Sequence, residues 1–208
     1  MTKIDFTLTK PEFSPLLIVI SGPSGIGKDS VVQGLKAREL PFHFVITATS
    51  RLPRDYEKDG VDYFFFSHDE FERMIGAGEF LEHAWVYSNY KGVPKSQVRE
   101  ALASGEDVVM RLDVQGAQTV HTLCPDAILV FLTAKSKAEW LQRLRDRRSE
   151  TDAELNLRIE TARKEYETLD SFDYIVINEE DKLDHTLDVI ESIIAAEHHR
   201  VHPRKVTL

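Results

Sequence analysis

Residues 16–30, LLIVISGPSGIGKDS, narrow the choice of fold more than any other stretch of the chain. The first part, LLIVIS, is apolar without alternation. That predicts a short strand buried on both faces, which is a strand inside a parallel sheet. The run stops at Gly22, and residues 22–29, GPSGIGKD, match G-x-x-x-x-G-K at every fixed position. A helix is expected from about Lys28, with Val31, Val32 and Leu35 toward the core. Strand, glycine loop and helix in this order make a phosphate cradle. Glycines let backbone N–H groups curl toward phosphate oxygens, and the helix N-terminus adds its positive end. Gly22, Pro23, Ser24, Gly25, Ile26, Gly27, Lys28, Asp29 and Ser30 are therefore the expected nucleotide-binding residues, with Lys28 reaching the β- and γ-phosphates. The plainer reading is a glycine-rich turn with an exposed lysine, and the strand before and helix after it speak against that.

Asp29 stands where a Ser or Thr hydroxyl usually serves a magnesium ion. A carboxylate is also a hard oxygen ligand, so Asp29 suits the metal directly or through water, and the hydroxyl of Ser30 is one position on. Equally, Asp29 suits a helix start, where acidic residues are favoured. Both readings stand, and the intact lysine and glycines argue against a decayed site.

Further along, buried strands alternate with helices. Strands are expected at 16–21, 42–49, 62–67, 79–88, 107–113, 127–134 and 173–178. Ser67 with Glu70, Ser136 with Glu139 and Thr151 with Glu154 mark three helix starts. Pro94 and Gly105 bracket a helix over 94–104, another runs from about Val114 to before Pro125, and a last one from about Lys182 to Glu197. The fold class expected is α/β, a parallel sheet flanked by helices. Residues 47–93 break the rhythm, being aromatic, turn-rich and strand-rich, and are expected to form a small lobe over the sheet edge. At 208 residues the chain suits one domain, with 1–14 as an extension and 199–208 as a frayed tail.

The net charge of −9 disfavours a nonspecific nucleic-acid binder, so an anionic substrate must meet a local cluster of cations. One cysteine, Cys124, allows no intramolecular disulfide and fits a reducing compartment, with the cytoplasm as the expected one. No apolar run approaches a membrane span, and the first residues lack the apolar core of a secretory signal. The histidines show no ligand spacing, and His121 with Cys124 is too little for zinc. Trp85 and Trp140 are expected in the core.

A phosphate loop needs an acceptor site, and TATSRLPRDYEKDGVDYFF (47–65) supplies one. Arg51 and Arg54 flank Pro53, so both can face one anion, and Tyr63 offers a phenol nearby. Here the sequence resembles the guanylate kinase family. The resemblance runs from about Leu16 to Glu197 on GPSGIGK, TSRLPR, DGVDYFF, EFLEHA, NYKG, LDVQG and VIN.

The resemblance implies a P-loop kinase fold with core segments 15–46, 94–142 and 170–198, a GMP-binding lobe at 47–93 and a helical lid at 143–169. It implies transfer of a phosphoryl group from ATP to GMP with Mg2+, the protein acting as a monomer or homodimer without nucleic acid or membrane. Arg51, Arg54 and Tyr63 look like the clamp on the GMP phosphate, and Thr47 and Glu82 like base contacts. Asp113 looks like the carboxylate serving both the guanine edge and the magnesium shell. Arg143, Arg147 and Arg158 look like lid arginines closing on ATP phosphates. The plainer readings are solvated loop arginines, a packed Tyr63, a solvated Glu82 and an Asp113 that caps the next helix.

Three positions depart from the family pattern. Lys91 replaces a tyrosine and still suits the acceptor phosphate as a point charge. Val93 replaces a hydroxyl residue, removing one guanine hydrogen bond. Arg111 replaces an acid two residues before Asp113, so it offsets the charge that Asp29 adds. Two other readings remain: a P-loop kinase of another phosphorylated acceptor such as ribose 1,5-bisphosphate, and a guanylate-kinase-like module that binds proteins and does not catalyse.

Overall fold

The computed structural model describes residues 13–86, 88–146 and 152–208. The apolar run forms β1 (Leu17–Ser21), buried along its whole length. Its side chains alternate between two clusters. Ile18 and Ile20 join Val31, Leu35 and Ile190 on one face, while Leu17 and Val19 join Val98, Met110 and Val120 on the other. Both faces are apolar, which is why the sequence shows no alternation. Parallel neighbours flank β1: β7 (Asp107–Arg111) on one side and β8 (Ile128–Thr133) on the other. With β2 (Phe42–Phe44) and β9 (Tyr174–Ile177) at the edges, the parallel sheet has the order β2-β7-β1-β8-β9.

Helices α1 (Lys28–Ala37), α5 (Lys137–Asp146), α6 (Asp152–Tyr166) and α7 (Leu183–His198) contribute to the first face, and α3 (Lys95–Ser104) and α4 (Val114–Leu123) to the second. Two of the expected capping bonds form, Glu70 N to Ser67 Oγ and Glu139 N to Ser136 Oγ, both 3.2 Å. The third expected cap, at Thr151, lies outside the described residues, as does most of the 1–14 segment.

A second sheet, of order β4-β3-β6-β5, rises beside the core: β3 (Ala48–Thr49), β4 (Phe64–Phe65), β5 (Phe80–Val86) and β6 (Asn89–Pro94). Helix α2 (His68–Gly76) covers it. Phe71 of α2 stacks on Phe80 at 4.3 Å and on Tyr90 at 5.2 Å, giving this sheet an aromatic core of its own.

The structure corrects several sequence expectations. The strand expected over 42–49 is two strands in two sheets. Val45 N makes its bond to Val109 O in the core, whereas the Thr47 carbonyl accepts from Phe64 N in the second sheet. The strand expected over 62–67 shrinks to Phe64–Phe65, and β6 is a strand the sequence reading did not contain. Trp85 is 56% exposed, on the outer side of the β5–β6 hairpin against Tyr90, whereas Trp140 is buried as expected. The tail is not frayed. Arg204 binds Glu197 and Asp173, each at 2.8 Å, and Val206 and Leu208 pack on the cluster around Leu17. No helix among the described residues is long and apolar enough to cross a membrane.

Candidate active site

The glycine loop leaves β1 at a position where no side chain fits. At Gly22, φ is 137° and a Cβ would stand 2.4 Å from the Leu132 carbonyl oxygen. Gly27, the residue before α1, has φ 95°, and a Cβ there would stand 2.4 Å from Asn178 Nδ2. Asn178 is part of the loop's mooring. Asn178 is buried at the end of β9, donates to Ile26 O at 2.8 Å and accepts from Thr186 Oγ1 at 3.1 Å. Trp140 Nε1 donates to the Ser24 carbonyl at 2.9 Å. Arg143 donates to the Asn178 carbonyl at 2.8 Å and to Ile26 O at 3.4 Å, and is also held by Glu139. From α6, Arg158 donates to Ser24 Oγ. Two of the three expected lid arginines thus touch the loop, and Arg147 lies outside the described residues.

Lys28 opens α1 with its ammonium on the Gly22 and Pro23 carbonyls, at 2.5 and 3.0 Å. Ser30 is exposed in the same turn. Asp29 lies in the first turn of α1, after the N-cap Gly27, so the helix-start reading holds. Its carboxylate also pairs with Arg111 at the end of β7. The offset of charge expected from the sequence is a direct ion pair.

Beside the loop a cleft opens between the two sheets. Lys28, Thr47, Tyr63, Glu82, Lys91, Arg111 and Asp113 all line it. Five of the seven expected acceptor-site residues therefore meet there, from four separate parts of the chain. Val93 does not. It is fully buried in the cluster with Leu17. Arg51 and Arg54 sit just outside. Arg51 forms a two-pronged bond with Glu57, both contacts 2.6 Å, and its guanidinium lies 5.0 Å from the Tyr63 ring centre. Arg54 donates to Tyr56 Oη at 2.9 Å. The Arg51 guanidinium holds the Glu57 carboxyl down to about 2, well below the usual range.

Glu82 and Asp113 form the cleft's acidic wall. Asp113 caps α4 through Gly116 N at 2.8 Å and lines the cleft as well, so the capping reading and the site reading hold together. Burial, and then the nearby Asp113 charge, push Glu82 up to about 7. Two relevant carboxylates escaped the sequence reading. The available signal for Glu57 was an acid six residues after Arg51. Glu165, on α6 seven residues after Arg158, also belongs to this region. Burial raises its pKa most, while Lys28 lowers it and Asp113 raises it.

The family model described as guanylate kinase matches residues 14–197. Guanylate kinase 2, chloroplastic/mitochondrial, of Oryza sativa subsp. japonica is 46% identical over 199 residues, covering 95% of this chain and 70% of that protein. Guanylate kinase of Bacillus subtilis (strain 168) is 42% identical over 193 residues, covering 91% of this chain and 94% of that one. Among solved structures, that of guanylate kinase from Anaplasma phagocytophilum superposes with a TM-score of 0.69 at 25% identity, covering 91% of this chain and 89% of that one.

Proposed function

Because the chain belongs to the guanylate kinase family, a family of ATP:GMP phosphotransferases, we propose that the loop and the cleft beside it are the donor and acceptor sites for converting ATP and GMP to ADP and GDP. The observation that carries this reading is the meeting of Lys28 with Glu82 and Asp113 in one cleft. A loop alone suits any nucleotide. Carboxylates sharing one cleft with Lys28, Lys91 and Arg111 suit a guanine monophosphate.

The donor phosphates lie on the loop amides, with Lys28, Arg143 and Arg158 around them. Arg147 joins these on the strength of the sequence resemblance alone. On the acceptor side, Lys91 and Tyr63 face the GMP phosphate, and Arg51 and Arg54 join from the rim as Arg51 exchanges Glu57 for the phosphate. Both are anions, and a guanidinium fork fits either. Glu82, ionised, accepts the N1 and N2 hydrogens of guanine, with Asp113 and Thr47 alongside. Adenine has no hydrogen on N1 and would leave the half-buried carboxylate unpaired, which is how such a site rejects it.

Phosphoryl transfer needs no strong base, since a phosphate oxygen is already a nucleophile. The protein's work is positioning and charge stabilisation. Arg158 and Arg143 reach the loop from the helices over it and so help exclude water from the transfer.

The donor set suits magnesium. Asp29 and Asp113 are hard oxygen ligands beside the loop with Ser30 near, and no group of three or more His, Cys, Asp or Glu among the described residues could hold a metal alone. Magnesium is held in this way, by one or two carboxylates with substrate phosphates and water. When bound it would neutralise charge on the β- and γ-phosphate oxygens. The reducing cytoplasm suits the lone thiol of Cys124.

An ADP-release assay with GMP, AMP and ribose 1,5-bisphosphate tests the reading. GMP should be the preferred acceptor. Turnover with ribose 1,5-bisphosphate instead, or with none, would replace it with one of the other two readings.

A further inference from the structure

The Asp29–Arg111 pair joins the two sites. Asp29 belongs to the loop, in the first turn of α1. Arg111 lines the acceptor cleft with Lys28, Tyr63 and Lys91, and on its other side lines a second cleft with Thr47 and Glu57. The Asp29 end of the pair is open to water, 68% exposed, while Arg111 is half-buried in the cleft wall at 38%. Exposed pairs are weak and exchange partners readily.

Each partner has a better one when substrates are present. Asp29 beside bare ATP phosphates is repulsive, and a hydrated magnesium ion relieves it. A guanidinium released from Asp29 faces a cleft built for a phosphate monoester, a dianionic partner that takes its fork in two bonds. Resting on the assignment of loop and cleft to ATP and GMP, we propose that Arg111 is a ligand of the acceptor phosphate gated by Asp29. Asp29 holds Arg111 back while the donor site lacks its magnesium-nucleotide, and exchanges it for hydrated magnesium when that nucleotide binds. Donor loading then strengthens acceptor binding, and by linkage GMP strengthens binding of the magnesium-nucleotide equally.

Isothermal titration of GMP into the full chain saturated with β,γ-imido-ATP, in excess magnesium and then in EDTA, reads this coupling. The wild type should bind GMP at least about fivefold tighter with magnesium. Asp29→Asn and Arg111→Gln should each shrink the difference below about twofold, but from opposite ends. Asp29→Asn frees Arg111 in both conditions and so raises the affinity in EDTA. Arg111→Gln removes the ligand and so lowers the affinity in magnesium. A merely structural pair would not give opposite signs, and thermal unfolding of both variants checks folding. Equal GMP affinity in the two conditions for the wild type, or a difference that survives Arg111→Gln, overturns the proposal while leaving the acceptor assignment intact. No heat from GMP under any condition overturns that assignment and the proposal with it.

Discussion

Glu82 and Asp113 converge over Gly116: a Cβ on that glycine would stand 3.2 Å from Glu82 Oε2 and 3.4 Å from Asp113 Oδ1. The missing side chain is what lets two carboxylates share the wall of one cleft. The first consequence is steric. Gly116→Ala places a methyl against both groups and displaces the nearer, Glu82, while Asp113 stays held by its capping bond. Gly116 lies in α4 without a positive φ, so alanine should not lower the urea midpoint and should raise helix preference. We expect KM for GMP to rise about fivefold, the worth of one weakened hydrogen bond, with KM for ATP unchanged in steady-state kinetics.

The second consequence is electrostatic. Glu82 stands at about 7 in the folded chain, above its ordinary 4.5. Between those values the folded protein holds a proton that the unfolded chain has released, so stability falls as pH rises through this window and levels off above 7. GMP needs the ionised form, so its KM should fall as pH rises through about 7 and then flatten. Initial rates across neutral pH, beside thermal melts of wild type and Glu82→Gln, check both trends. The Gln variant should lack the stability loss.

Asn178 carries a different load, fastening the loop from beneath. Asn178→Ala leaves the Ile26 carbonyl with only the longer Arg143 bond, and the Thr186 hydroxyl with only the Ile177 and Lys182 carbonyls. A loss of about 1 kcal/mol in urea unfolding is expected, the net worth of a hydrogen bond whose partners keep weaker ones. KM for ATP should rise more than KM for GMP.

Arg51 tests the acceptor clamp. Its fork is already shaped by the two-pronged bond to Glu57. Arg51→Lys keeps the charge and loses the fork. KM for GMP should rise about tenfold, the scale of one charge-assisted hydrogen bond, and kcat should fall with it. An unchanged KM would remove Arg51 from the clamp.

Much of this molecule was legible because its signals are local. A buried run, a glycine loop and a helix start are adjacent in sequence, so β1, the loop and α1 could be read directly. Capping bonds at Ser67 and Ser136 span three residues and were equally readable. What escaped depends on tertiary partners. Nothing in FHFVITAT marks where the chain leaves one sheet for another, because the change is set by Val109 and Phe64. In NYKGVP, glycine, proline and a lysine hide a strand that the hairpin partner imposes. Val206 and Leu208 are too few for a pattern, yet they dock because Arg204 is tied down beside them. Glu57 and Glu165 were not among the expected site residues, because only the fold sets them near Arg51 and Lys28. The balance of charge between Asp29 and Arg111 was visible in sequence, and their contact was not.

The central claim is that the half-buried carboxylate of Glu82 beside the phosphate loop reads guanine, and Glu82→Gln tests it most directly. Measured at pH 8, kcat/KM for GMP should drop about 100-fold or more, since the amide meets the guanine N2 hydrogens with a donor and leaves them unpaired. KM for ATP should hold. A Glu82→Gln enzyme that phosphorylates GMP as well as the wild type, with the same preference over AMP, would contradict the account.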